Sequence, residues 1–289
     1  VNCSSEIWVG QFGDGVGIGN GIYNLSGGTF NISNWVAIGR SGGNGQWTMT
    51  GGVINKFGNG SFLVGTGFST PAGGSSVGQL DHSAGLINVQ SGEFLVPENS
   101  PSTGTYNISG TASLVVNNWI AVGRGGAAGN LNMSGGSITK TGGGNIVIGG
   151  GGGSVGILNQ TNGVITNTTS QVWVAENGTG TWNLYGGAAY CGIVHIAQTA
   201  GSVGTLNLNG GVFSAFEVTS GDPIGSSTLS LNGGTIQPTG DNATFMHDLI
   251  AAQVGAGGAI FDSAGFNISI SQVLADNGGG GSRRTTLLG

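Results

Sequence analysis

Apolar and polar residues alternate with a period of two in short bursts that recur along the chain. The clearest burst reads IYNLSGG at Ile22, QWTMTGG at Gln46, QLDHSAG at Gln79, TYNISGT at Thr105 and NLNMSGG at Asn130. It returns as ILNQTNG at Ile157, TWNLYGG at Thr181, TLNLNGG at Thr205 and TLSLNGG at Thr228, in steps of 23 to 33 residues. Positions two and four are mostly apolar, as in Tyr23 and Leu25, Trp47 and Met49, Trp182 and Leu184. Position three is mostly asparagine: Asn24, Asn107, Asn132, Asn159, Asn183 and Asn207. Successive side chains of a strand face opposite sides, so this pattern predicts strands with the apolar pair inward and the asparagines outward. The Gly-Gly that follows lets the chain turn a corner without a Cβ penalty.

Beyond that corner Phe30, Ile54, Ile87, Ile138, Ile165, Phe213 and Ile236 mark a second short strand. A third follows as NWVAIG at Asn34, SFLVG at Ser61, EFLVP at Glu93, NWIAVG at Asn118, NIVIG at Asn145, QVWVA at Gln171, GIVHIA at Gly192 and AFEVT at Ala215. Such a period marks a solenoid, in which no single repeat can bury its own core. The expectation is an all-β fold: a single right-handed parallel β-helix of about ten coils, each with three short strands. At roughly 4.8 Å per coil it is about 50 Å long.

The repeats are expected to fill residues 1–240 and to begin in mid-coil, with residues 6–9 matching a third strand whose first two strands are missing. That start implies excision from a longer chain. Residues 241–276, which include the amphipathic stretch MHDLIAAQV, are expected to form a C-terminal cap or final irregular coil. Residues 277–289 are expected to be a linker or tail.

Composition narrows the function classes. Glycine supplies 64 of 289 residues, without the every-third-residue period of collagen. Charged residues make up only 6% against 37% apolar, which excludes the signature of disorder. Twelve Asp and Glu against six Lys and Arg argue against a nucleic-acid partner. No apolar run approaches the roughly 20 residues of a membrane-spanning helix, so membrane insertion is not expected. Cys3 and Cys191 belong to units about seven coils apart, on the order of 30 Å, beyond disulfide reach. Calcium-binding Gly-Gly-x-Gly-x-Asp repeats are absent, and GGGGGS at Gly149 lacks the lysine of a phosphate loop. Neither a metal site nor a cofactor is expected.

The YNLSGG and NWVAIGR phrases, with GGAIFDSAGFNISISQVL at Gly257–Leu274, resemble bacterial extracellular proteins with autotransporter-associated β-strand repeats. The resemblance covers most of residues 6–274. The Gly-Gly-Leu-Thr-Lys ending usual in such repeats is not recognisable in SRRTTLLG. The resemblance implies secretion or surface display as part of a large multidomain chain, and it transfers no catalytic residue.

Function must therefore be sought on the outside of the coil. Four of the six tryptophans, Trp8, Trp35, Trp119 and Trp173, fall on the outward face of the third strand. Exposed apolar patches mark contact surfaces, and flat aromatic rings stack on sugar rings. Glu93, Arg40, Arg124 and Glu176 lie at the edge of this face as hydrogen-bonding partners. The leading expectation is a non-catalytic module that binds an extended polysaccharide. The competing reading of the tryptophans is packing under folded-back glycine-rich loops, which fits a structural or adhesin-like surface passenger. A third reading is a polysaccharide lyase or glycoside hydrolase. It rests on His195 and Glu217, expected as neighbours in one column of consecutive coils after Trp173, with Glu176 as a second carboxylate. The alternative for the His–Glu pair is a surface pair without substrate. Asp81-His82 lies in the most irregular first strand, where His82 replaces an apolar residue as a local packing adjustment.

Overall fold

Period-two alternation produces strands here, and stacking buries what each strand cannot bury alone. In the computed structural model, described over residues 1–11, 19–68, 74–221, 225–277 and 285–288, all regular structure is β and no helix occurs among the described residues. The chain forms a parallel β-solenoid of about 11 turns. Every pairing is parallel and joins each segment to its counterpart one turn away, so the pairings follow three ladders. The first ladder carries the recurrent phrase: Tyr23 pairs with Trp47, Trp47 with Leu80, Leu80 with Tyr106 and Tyr106 with Leu131. Phe30, Ile54 and Ile87 align in the second ladder, and Val36, Phe62 and Phe94 in the third. In four turns the first two ladders share one unbroken strand, Asn44–Lys56, Ser76–Val89, Ala128–Lys140 and Val155–Asn167.

The inward columns form one continuous core. Trp47, Phe62, Phe94, Tyr106, Trp182 and Phe213 are wholly buried, each such side chain contributing on the order of 2–3 kcal/mol relative to exposure. Aromatic rings hand over from coil to coil: Tyr23 to Trp47 at 4.6 Å, Trp47 to Phe62 at 6.1 Å, Phe62 to Phe94 at 5.3 Å and Phe94 to Tyr106 at 5.2 Å. The indole N–H groups of Trp47 and Trp182 make no hydrogen bond; such a buried, unpaired donor costs about 1–3 kcal/mol.

Outward, the asparagines bond along the axis. Each side-chain amide nitrogen donates to the amide oxygen one coil earlier: Asn207 to Asn183, Asn183 to Asn159, Asn159 to Asn132, and Asn132 to Asn107, at 2.8–3.0 Å. Asn107 donates at 2.7 Å to the carboxylate of Asp81, which also accepts from Gln46 and Gln79. His82 is buried in the inward column between Met49 and Ile108. Its Nδ1 lies 3.1 Å from the Tyr106 hydroxyl and its Nε2 3.1 Å from the Gly85 carbonyl.

Two inward positions of the second ladder hold lysines. Lys56 and Lys140 occupy the column of Ile32, Val89 and Val116. Each turns its ammonium onto corner carbonyls: Lys56 onto Gly58 and Ser91, Lys140 onto Gly142. Cys3 and Cys191 share this column and are both free thiols.

The ends differ from the sequence expectation. Ile7–Gln11 takes its place in the third ladder, but Asn2–Cys3 pairs with Asn31–Ile32, so a second-ladder segment does precede it. Asn242–Met246 and Ala251–Val254 are strands paired to later segments, Ile268–Ile270 and Ala275–Asp276. Of the segment expected as linker or tail, residues 278–284 and 289 lie outside the described residues, and Thr285–Leu288 pairs with Ala259–Asp262.

Candidate functional site

The third ladder presents three outward columns. Backbone bonds link Glu6, Trp35, Ser61, Glu93, Trp119, Asn145 and Gln171 at its leading edge, as in Ile7 N–H to Trp35 O and Phe94 N–H to Trp119 O. The middle column runs Trp8, Ala37, Leu63, Leu95, Ala121, Val147, Trp173 and His195. The trailing column runs Gln11, Arg40, Thr66, Glu98, Arg124 and Gly150. Glycine creates this last column. Gly39 and Gly123 take φ of 74° and 73°, and a Cβ there would lie 2.0 and 2.3 Å from the carbonyl oxygens of Val77 and Val155. The tight corner turns the next residue, Arg40 or Arg124, back onto the face.

The four tryptophans divide into two pairs. Trp8 and Trp35 are 45% and 37% exposed. Trp119 and Trp173 are half-buried and meet edge to face at 5.4 Å, with Trp173 Nε1 donating to Gln171. Between the pairs runs a buried strip of small and aliphatic residues, Ala37, Leu63, Leu95, Ala121 and Val147, against which Trp119 and Trp173 pack.

Trp8 and Trp35 line a half-open cleft of about 220 Å³ together with Glu6, Arg40, Phe68 and Glu98, over a floor of Ala37, Leu63 and Thr66. The Arg40 guanidinium lies 4.2 Å from the Trp8 ring centre and 5.7 Å from that of Phe68, a cation–π arrangement. Its Nη1 is 3.8 Å from Glu6, longer than a charge-assisted hydrogen bond. The Arg124 Nη1 donates to Glu93 at 2.7 Å instead. Glu98, the ladder neighbour of Arg124, has its carboxyl pushed above the usual range by burial, against the pull of Arg124 and together with the repulsion of Glu93.

The expected His195–Glu217 column is corrected by the register. His195 pairs with Thr219 and Glu217 with Ile193, because Val218 takes the inward place opposite Val194. That choice leaves Phe216 exposed at the corner and shifts every later side chain by two residues from the spacing that the sequence offered. Glu217 instead meets His247, Oε1 to Nε2 at 3.3 Å, while His247 Nδ1 meets Asp248 at 2.9 Å. His195 Nδ1 makes no hydrogen bond. Burial lowers the His195 pKa, with Glu217 raising it and His247 lowering it further. Glu176 is elsewhere: its Oε2 hangs over Gly150 near the Arg124 stem. The structure thus brings together Trp8, Trp35, Arg40 and Glu6, and separately Trp119, Arg124 and Glu93. It does not assemble His195, Glu217 and Glu176 into one constellation.

Sequence reasoning missed Glu98, Phe68 and His247. Glu98 stands where other repeats place Arg, Thr or Gly, and the alignment of EFLVPE with NWIAVGR was the signal for it. Among the described residues no group of three or more His, Cys, Asp or Glu side chains is placed to hold a metal ion. No helix of the described residues is long and apolar enough to cross a membrane. Compared with known proteins, no family model, curated protein or solved structure matches this chain.

Proposed function

We propose that this chain is a non-catalytic carbohydrate-binding β-helix module of a larger secreted or surface protein, holding an extended polysaccharide along the third ladder. The coil is taken as right-handed with three strands per turn, the sense of parallel crossover connections. The observation that carries the reading is the cleft in which Trp8 and Trp35 stay exposed beside Arg40 and Glu6. Indole faces stack on pyranose rings, and polar groups at the rim orient the hydroxyls. A rung spacing of roughly 4.8 Å is close to the advance per sugar of a β-linked chain, so rings and rungs stay in step. Secretion or surface display, and attachment to further domains, are supported by the resemblance of the repeat phrases to autotransporter-associated β-strand repeats.

The test is retention on insoluble plant and microbial polysaccharides, with released reducing sugar measured alongside. Trp8→Ala and Trp35→Ala should each weaken retention while leaving thermal unfolding near that of the parent, because their rings lie outside the core. Retention unchanged in both variants would refute the site. The second reading, a structural or adhesin-like passenger, is favoured by the uninterrupted core and gains if Trp35→Ala unfolds the coil. The lyase or hydrolase reading requires sugar release that is lost in Glu217→Gln.

A further inference from the structure

The aromatic face contains the same three-residue arrangement twice. Glu6 on one rung is met by Arg40 from the next, and Trp35 stands beside Arg40 on that same rung. Glu93 is met in the same way by Arg124, with Trp119 beside it. Both copies depend on the corner glycine that turns the arginine outward, Gly39 in one and Gly123 in the other. They are three rungs apart, since Ala37, Leu63, Leu95 and Ala121 are consecutive partners, which is about 14 Å.

Cationic side chains are scarce in this protein, and that gives the arrangement its meaning. The chain has six Lys and Arg. Lys56 and Lys140 are buried in the core, and Arg283 and Arg284 lie outside the described residues. Among the described residues, the two arginines at the surface are therefore Arg40 and Arg124, each next to a tryptophan. In both copies the guanidinium already faces a carboxylate. Glutamate occupies the place that an acidic group of a ligand would take, close to an indole face on which the ligand's ring would stack. The copies differ in readiness. Arg124 holds Glu93 at 2.7 Å, whereas Arg40 stands 3.8 Å from Glu6 with donors to spare and is braced against Trp8.

We infer that the repeated Glu–Trp–Arg arrangement forms two subsites for carboxylated sugars, so that the ligand is a polyuronate chain crossing both. This rests on the glycan-binding role proposed above and adds the chemical class. Each arginine would take a uronate carboxylate through parallel N–H donors, the geometry that favours arginine over lysine for such groups. The open subsite at Arg40 engages first. The second is reached when the incoming carboxylate replaces Glu93 on Arg124. Covering about 14 Å requires about four consecutive sugars, so short oligomers occupy one subsite and longer ones both. Burial keeps the Glu98 carboxyl more protonated than usual, which reduces repulsion of an anionic chain in the cleft.

The experiment is calorimetric titration of the whole chain, near physiological salt, with a polyuronate, with the same polymer after carboxyl reduction, and with uronate oligomers of two to eight sugars. The acidic polymer should bind at least about tenfold tighter than its neutral form. Arg40→Gln should erase that preference while the neutral polymer binds as before. Affinity should step up by at least about tenfold between three and five sugars, the mark of a second linked contact. Equal affinity for the acidic and reduced polymers would overturn the carboxylate assignment and leave the glycan-binding role standing. Binding of neither would overturn both. A smooth rise with length, without a step, would overturn the paired subsites.

Discussion

Acidification should loosen this solenoid at one identifiable coil. His82 is buried at a position that other coils fill with Leu25, Met49, Ile108 or Met133. Burial lowers its pKa from 6.5 to about 4, against the smaller raising effect of the backbone bonds at Gly85 and Ala84. The neutral ring suits its surroundings: Nε2–H donates to the Gly85 carbonyl and Nδ1 accepts from the Tyr106 hydroxyl. A second proton on Nδ1 would turn that hydroxyl away with its own proton stranded. Between pH 6.5 and 4 the unfolded chain takes up a proton that the native chain refuses, so stability falls as pH falls through this window and levels off below it. A shift of about 2.5 units at ~1.36 kcal/mol each amounts to about 3 kcal/mol. The control is the double variant His82→Met/Tyr106→Phe, which replaces both partners by apolar groups and should be near neutral at pH 7. Solenoids open in segments, so the assay is hydrogen exchange of the backbone amides of residues 76–89 at pH values from 7 to 4, corrected for intrinsic rates. The parent should lose about 3 kcal/mol more protection than the double variant, and parallel pH curves would refute the reasoning.

The remaining predictions concern the buried lysine, the corner glycine and the thiols. Burial lowers the Lys56 pKa to about 8, so between pH 8 and 10.5 the unfolded chain holds more protons and the parent should gain stability relative to Lys56→Met as pH rises; denaturant midpoints at pH 7.5, 9 and 10.5 would test this, and a constant difference would refute it. Gly123→Ala places a Cβ 2.3 Å from the Val155 carbonyl at a φ of 73°, and thermal unfolding should show a loss of about 2 kcal/mol or more, together with displacement of Arg124. Cys191 is buried, which pushes its thiol up to about 12; in the folded protein a thiol reagent should label Cys3 alone, and in denaturant without reductant both thiols should react.

Much of this architecture is legible in the alternation itself. Tyr23, Trp47, Tyr106 and Leu131 fall in register because each repeat keeps the same inward positions before its glycine corner, and the tryptophan face follows from counting outward positions in NWVAIGR and NWIAVGR. The reading fails where a side chain contradicts its column. Lys56 and Lys140 take inward positions that alternation assigns to aliphatic residues, and only the corner carbonyls that receive their ammonium groups explain the choice. At Phe216 a single residue displaced to the corner moves Glu217 away from His195, and periodicity offers no means of choosing between the two registers. His247 lies in the stretch where the repeat phrase has lapsed, so nothing in the spelling ties it to Glu217. Which tryptophans remain open also depends on packing: Trp119 and Trp173 cover each other, whereas Trp8 has only Arg40 across its ring.

The outward asparagines give the molecule a direction. An amide that donates with its nitrogen and accepts with its oxygen is a connector that mates with a copy of itself. A coil can therefore be added or removed anywhere between Asn107 and Asn207 without stranding a polar group, and this stretch can change length by whole repeats. A carboxylate has no proton to pass on. Asp81 receives from Asn107, Gln46 and Gln79 and ends the line, its negative charge at the end towards which every upstream donor points. One atom's difference between asparagine and aspartate separates a part that can be repeated indefinitely from a part that says stop.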